Sequence, residues 1–349
     1  MKIAGVSSAL PQYYYKQETV LAALSAYWSE KLENPQFLTR LHQRTGVAGR
    51  YFVLPLERYY DLTTWGDTNR VWIEAARELG EKAIRCALQR AQVDANDIGA
   101  FFFVSVTGIA SPSIDAMLIN RMKLPSRTKR IPIFGLGCVA GAAGIARAAD
   151  YVRAYPDQVA ILLSVELCSL TLQRDDLSVA NLISSGLFGD GAAAVVVAGA
   201  DVPANGPTIL ATRSTFYPDT EHVMGWDISE RGFRVVLSPE VPDVITQHLG
   251  ADVDAFLAEH DLTRADIGAY IMHTGGPKVL QASEQALGLT DGALKPSWDC
   301  LRRVGNLSSA SVLFVLEDAM MNWRPAPGTL SLLAAMGPGF CSELVLLKW

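Results

Sequence analysis

Cysteine is scarce in this sequence and shows no pairing pattern. Only five occur in 349 residues, Cys86, Cys138, Cys168, Cys300 and Cys341. The count is odd, the spacings are wide and no CxxC pair exists. Both a zinc site and a disulfide framework are therefore poor readings. Most such thiols act as small buried hydrophobes, which leaves room for one nucleophile. Charge is thin too: 19% of residues are charged, the formal net charge is −6, and both signs are scattered. No basic footprint for nucleic acid is present. Long hydrophobic runs are missing as well. A membrane-spanning helix needs about 18 apolar residues, and the nearest approach, VAILLSVELCSL at 159–170, is interrupted by Glu166. The opening Met1-Lys2-Ile3-Ala4-Gly5-Val6 is too short an apolar run for the hydrophobic region of a signal peptide, and no small-residue cleavage site follows. The expectation is a soluble, cytoplasmic protein.

What the chain does have is hydrophobic substance, 50% of its residues, and a repeat. Asp97-Ile98-Gly99-Ala100-Phe101 returns as Asp266-Ile267-Gly268-Ala269-Tyr270, an offset of 169 (266 − 97). Each copy follows a helix-like segment, near 72–92 and 241–260, and opens a strand-like run. Cys138 opens a Gly/Ala-rich helical segment, and Asn306 opens another at a closely similar offset of 168 (306 − 138). Prolines, a strand-like run, a glycine turn and a final strand follow in each copy. Features matching in this order imply a duplication. The join falls near 200–207, where Gly, Asp, Pro and Asn cluster. The expected domains are residues 1–203 and 204–349. Apolar strands that need cover on both faces imply a layered α/β fold, with one helix from each half at its centre.

The segment after Cys138 carries Gly141, Ala142, Ala143, Gly144, Ala146, Ala148 and Ala149, with almost no side-chain bulk. Each glycine costs about 1 kcal/mol relative to alanine in a helix interior, so close packing must offset it. A thiol at a helix N-terminus meets unpaired N–H groups and the positive end of the dipole. Both favour the thiolate and lower the thiol's pKa. A cysteine nucleophile wants an imidazole nearby. His248 and His260 lie on polar helix-like stretches, and His42 sits between Arg40 and Arg44. His273 ends a strand-like run and feeds Thr274-Gly275-Gly276-Pro277, the kind of place where α/β folds hold reactive groups, although it also suits a structural histidine. Asn306, in Gly305-Asn306-Leu307-Ser308-Ser309, suits either a helix N-cap or an amide that donates to a developing oxyanion.

Five segments, GCVAG at 137–141, GLFGDGAA at 186–193, HTGGPKVL at 273–280, GNLSSASV at 305–312 and MGPGF at 336–340, together resemble type III polyketide synthases. The likeness runs the length of the chain. It implies the thiolase-type fold, a duplicated layered αβαβα core, working as a homodimer. It implies Cys138 as the acyl-carrying nucleophile, with His273 and Asn306 as its catalytic partners. Phe188 matches an aromatic gatekeeper between the CoA tunnel and the cavity, and Phe233 the second. Cys168, Thr171 and Ser308 match positions lining the cyclisation cavity. Arg40 and Arg44 fall where the family binds CoA phosphates; on residue pattern alone the pair equally suits a solvated helix face.

The sequence departs from the plant members of that family. The histidine motif reads HTGG rather than HPGG, Cys168 stands where chalcone synthases carry threonine, and 220–234 differs. These departures resemble the bacterial alkylpyrone and alkylresorcinol branch. They imply a fatty acyl-CoA starter extended with malonyl-CoA by decarboxylative condensation and cyclised, without metal or redox cofactor. A single-condensation β-ketoacyl-ACP synthase and a non-catalytic, chain-length-factor-like subunit are the alternatives. The first usually carries an HQAN-like motif, and the second lacks the nucleophile. HMG-CoA synthase, which uses a glutamate base, finds no convincing match.

Overall fold

The computed structural model describes all residues 1–349. Nine strands form one continuous sheet, and its order displays the duplication. In the N-terminal half, Lys2–Ala9 pairs antiparallel with Asp190–Ala198, which pairs antiparallel with Val159–Leu167. Val159–Leu167 pairs parallel with Ile98–Val104, and Lys129–Ile133 adds a parallel edge. In the C-terminal half, Thr208–Phe216, Cys341–Lys348, Leu330–Gly337 and Ile267–Met272 follow the same order and the same directions. The counterpart of the edge strand is absent there. Even an irregularity is repeated: the ladder slips between Ile98 and Ala100 in one half and between Ile267 and Ala269 in the other. These are the two copies of the Asp-Ile-Gly-Ala sequence, so the repeat encodes a bulge as well as a strand.

The strands read as nearly unbroken apolar runs because both faces are covered. Ala100, Phe102 and Val104 face a central layer, with Ile271, Leu333, Val345 and Leu347 from the other half. The alternate residues Phe101 and Phe103 face an outer layer, against the helix Trp65–Ala91. The helix Val241–Ala258 covers the outer face of the second half through Val253, Phe256 and Leu257. Full burial of each such side chain contributes roughly 1.5–3 kcal/mol. The central layer holds the helices Ala140–Ala154 and Ser311–Met321. A Cβ at Gly141 would lie 2.2 Å from the Ser309 carbonyl oxygen and 2.8 Å from Val312. The small residues of the first helix are thus the means by which the two central helices touch.

Both central helices begin later than their sequence suggests. Cys138 lies within a short 3-10 turn, Gly137–Val139, and the α-helix starts at Ala140. The mirrored element is the 3-10 turn Ser308–Ala310, followed by a helix from Ser311. By this register the counterpart of Cys138 is Ser309, and Asn306 lies three residues before it.

Candidate active site

Cys138 is held by what surrounds its turn. The preceding Gly137 has φ +55°, and a Cβ there would meet Pro338 Cδ at 2.6 Å, so only glycine fits. The thiol is buried, and its sulfur lies 3.6 Å from Ser308 Oγ. Ser308 itself has φ +47°, an unusual conformation for a residue with a side chain. That conformation lets its N–H donate to Asn306 Oδ1 at 2.8 Å. The Ser311 hydroxyl donates to the same oxygen at 3.3 Å. Asn306 Nδ2 donates to the Gly275 carbonyl at 3.2 Å. These bonds fix the carboxamide, and its two-proton nitrogen keeps one further donor.

Gly275 belongs to the loop that His273 opens. The His273 N–H donates to Ala334 O at 3.0 Å, and Gly275 N–H donates to His273 O at 3.1 Å. The imidazole is 5% exposed, and neither ring nitrogen has a hydrogen-bond partner. Unpaired buried nitrogens are costly, and here they belong to the ring expected to act on substrate. The structure therefore joins the Cys138 turn, the Asn306 carboxamide and the His273 loop through Ser308 and Gly275.

The electrostatics differ from the sequence expectation. Burial pushes the Cys138 thiol up to about 12; the Ser308 hydroxyl opposes this and the Glu166 carboxylate adds to it. Burial likewise pulls the His273 imidazole down to about 4. Desolvation is the largest effect at both groups, so the site favours an uncharged thiol and an uncharged imidazole. Neither ring nitrogen of His273 is hydrogen-bonded to the Cys138 sulfur, whose partner is Ser308 Oγ.

The remaining candidates fall into three places. Cys168, Thr171 and Phe188 line one pocket, together with Arg50, Tyr59 and Trp226. The Thr171 hydroxyl donates to the Cys168 carbonyl at 2.8 Å, closing the turn that presents both. Phe233 lies just behind that pocket, 3% exposed, edge-on to Trp65 at 5.6 Å and beside Trp226 at 5.9 Å. Arg40 and Arg44 are exposed at the end of the helix Pro35–Gln43 and in no ion pair.

Several buried polar residues escaped the sequence reading. Glu166 is fully buried; it accepts from Thr107 Oγ1 at 2.9 Å, Val106 N–H at 3.2 Å and Ser105 Oγ at 3.3 Å, and from the Ser309 hydroxyl. Burial pushes its carboxyl up to about 7. A signal existed: it is the one charged residue in the strand Val159–Leu167, and a buried charge must be satisfied. His42, between its two exposed arginines, is 1% exposed with Nε2 3.1 Å from Ser185 Oγ. Arg50, also 1% exposed, left no such signal.

A buried thiol, an imidazole with both nitrogens unpaired and an oriented carboxamide are the residue types that an acyl-transferring condensing enzyme uses. Residues 2–202 match the family model for the N-terminal domain of chalcone and stilbene synthases, and residues 208–349 match the model for their C-terminal domain. The chain is 51% identical to the 1,3,6,8-tetrahydroxynaphthalene synthase of Streptomyces peucetius subsp. caesius, over 99% of this chain and 93% of that one. It is 35% identical to the phloroglucinol synthase of Pseudomonas fluorescens, over 89% of this chain and 88% of that one. Among solved structures, the 1,3,6,8-tetrahydroxynaphthalene synthase of Streptomyces coelicolor superposes with a TM-score of 0.95 at 34% identity, covering 100% of this chain and 99% of that chain. The fold and its relatives define a condensing acyltransferase of thiolase-type architecture. The chain belongs to the chalcone and stilbene synthase family and is a type III polyketide synthase. No helix is long and apolar enough to cross a membrane.

Proposed function

We propose that this enzyme builds a polyhydroxylated aromatic ring system from malonyl-CoA, with a tetrahydroxynaphthalene as the leading product. The observation that carries this reading is the 51% identity, over nearly the whole chain, to an enzyme named for that product. A naphthalene has ten ring carbons, which five two-carbon units supply, and alternate oxygens mark their carbonyls. No carbon is left over for a fatty tail. The relatives thus favour a different product from the alkylpyrone or alkylresorcinol expected on sequence features. The fatty-acyl reading is retained as the second one, supported by the apolar side of the pocket at Val20, Leu24 and Leu56.

In the proposed mechanism Cys138 Sγ passes its proton to His273 and attacks a CoA thioester. CoA leaves as the thiol, and the acyl group stays on sulfur. Malonyl-CoA then loses carbon dioxide. The electron pair of the broken C–C bond becomes an enolate whose oxygen takes hydrogen bonds from His273 and the free Asn306 N–H. The enolate carbon attacks the Cys138 thioester, the sulfur leaves as thiolate, and the chain, now on CoA and two carbons longer, reloads onto Cys138 for the next round. The malonyl starter also loses its carbon dioxide, so that five units leave ten carbons. The steps involve no net oxidation or reduction, so the chemistry as proposed calls for no redox or metal cofactor. Ser308, Cys168 and Thr171 shape the space in which the chain closes. Phe188 lines that space with Phe233 packed behind it, both as gatekeepers of the CoA tunnel, and Arg40 and Arg44 receive the CoA phosphates. The division at 203/204 puts the nucleophile in one half and its partners in the other. The working form is a homodimer in the cytoplasm.

Incubating the purified protein with malonyl-CoA alone, followed by mass spectrometry, tests the reading. A ten-carbon aromatic is expected, and Cys138→Ala is expected to yield none. Product from Cys138→Ala would overturn the nucleophile assignment. Turnover only when a long-chain acyl-CoA is added would overturn the malonyl-only reading in favour of the second.

A further inference from the structure

The last carbonyls of an α-helix have no partner within the helix. In the helix Val179–Leu187 these groups are taken up by two side chains and one backbone N–H from distant parts of the chain. Ser185 O accepts from Arg50 Nη1 at 2.9 Å, and Phe188 O accepts from the same nitrogen at 2.7 Å. Gly186 O accepts from Gln17 Nε2 at 2.7 Å. Leu187 O accepts from the backbone N–H of Asn306 at 2.9 Å. Arg50 Nη2 donates in turn to Gln17 Oε1 at 2.9 Å, so the two clamping side chains brace each other. A fully buried guanidinium at this end of a helix meets the negative pole of the helix dipole. The nearby carboxylate of Asp190 opposes its charge and is itself held by Ser169 N–H at 2.8 Å and Val53 N–H at 2.9 Å.

The clamped end is where the site is assembled. Asn306 gives its N–H to Leu187 and receives the Gly189 N–H on its carbonyl at 3.0 Å. Its main chain is therefore bracketed on both sides by this segment, in a bridge with Phe188. A shift of the helix end would move the Phe188 ring and the Asn306 carboxamide together, while Cys138, on another element, would stay in place.

We propose that Arg50 and Gln17 are positioning residues: by holding the C-terminal carbonyls of the Val179–Leu187 helix, they set the register of Phe188 against Asn306 and so the aim of the Asn306 amide. The proposal rests on the role given to Asn306 above. Gln17→Leu removes the bonds to Gly186 and Arg50 and also the donations to Thr45 Oγ1 at 3.2 Å and His42 O at 3.4 Å, whereas Gln17→Glu keeps the acceptor for Arg50 and loses the amide donors. Arg50→Lys keeps the charge but loses the two-pronged donor geometry.

The test compares three quantities on each purified variant: malonyl-CoA decarboxylation as kcat and KM, the iodoacetamide alkylation rate of Cys138, and the folded fraction by circular dichroism. For Gln17→Leu, kcat is expected to fall by ~10- to 10²-fold, the scale expected for a sub-ångström to 1 Å misplacement. KM, the alkylation rate and the folded fraction are expected to stay near wild type. Gln17→Glu should fall between wild type and Gln17→Leu. A kcat unchanged in Gln17→Leu, or lowered only in step with folded fraction and alkylation, overturns the proposal. Arg50→Lys adds a second series if it folds, and the Gln17 pair decides the matter if it does not. Asn306→Ala is the control. If it decarboxylates normally, the role of Asn306 fails; if it is inactive while Gln17→Leu is normal, only the clamp fails.

Discussion

Ser308 Oγ sits 3.6 Å from Cys138 Sγ, across a separation of 170 residues in the chain. The hydroxyl stabilises the thiolate against burial, which is the larger effect and acts the other way. Removing it in Ser308→Ala should raise the thiol pKa further. The profile of Cys138 alkylation rate against pH would then move to higher pH, with overall stability nearly unchanged. A profile that stays put, or moves down, would show that the serine does not serve the sulfur.

Glu166 makes a second, opposite kind of pH dependence. Its folded-state pKa, about 7, lies above the ordinary carboxyl value of 4.5. The folded state thus holds its proton where the unfolded state has lost it. The associated stability is fully present below about pH 4.5 and is lost as pH rises through 7. Urea unfolding of wild type and Glu166→Gln at several pH values checks this. Wild type is expected to lose stability relative to the variant by a few kcal/mol, at order of magnitude, between about pH 5 and pH 8. A difference that is flat with pH would mean that the carboxyl ionises normally in the fold.

His42 and His273 act on the acid side. Burial pulls both imidazoles down, to about 3 and about 4. Their contribution is present above the ordinary histidine range and is lost as pH falls from about 6.5 towards 4 for His273 and towards 3 for His42. His42→Gln should therefore unfold less readily than wild type when acid is the only denaturant. Acid titration followed by tryptophan fluorescence reads the difference, and identical acid midpoints would contradict it.

The contact between the central helices gives a stability prediction. Gly141→Ala places a methyl 2.2 Å from the Ser309 carbonyl oxygen. Alanine's better helix propensity, worth about 1 kcal/mol, works against a packing cost of about 1–3 kcal/mol. Because the obstacle is backbone, which cannot swing aside, the cost wins. A lowered thermal midpoint is expected, with a larger drop for Gly141→Val. A midpoint equal to or above wild type would show that the helices can part freely.

Cys168 offers a test of chamber size. It is buried and lines the pocket beside Phe188. Cys168→Phe fills part of that space, so shorter, earlier-released ketides should replace the main product in mass spectra. An unchanged product pattern would place the growing chain elsewhere.

Much of this was legible in the residues. The Asp-Ile-Gly-Ala repeat marked the duplication, and the apolar strands marked a sheet covered on both faces. The glycines and alanines after Cys138 marked a helix in tight contact. Local order carries these signals, because strand burial, helix bulk and turn chemistry are written in neighbouring residues. Glu166 was half-legible, as a charge in an otherwise apolar strand.

Other features exist only once the chain is folded. Ser309, rather than Asn306, occupies the place that mirrors Cys138, because the two 3-10 turns set the register. Arg50 and Gln17 reach the end of a helix more than 130 residues away, and no periodicity announces a contact of that span. The uncharged state favoured for Cys138 and His273 is likewise a tertiary outcome. The sequence by itself supplied the candidate reactive groups and the doubled framework that carries them; burial, which belongs to the assembled layers and to no single residue, sets the direction in which their pKa values move and the partners they meet.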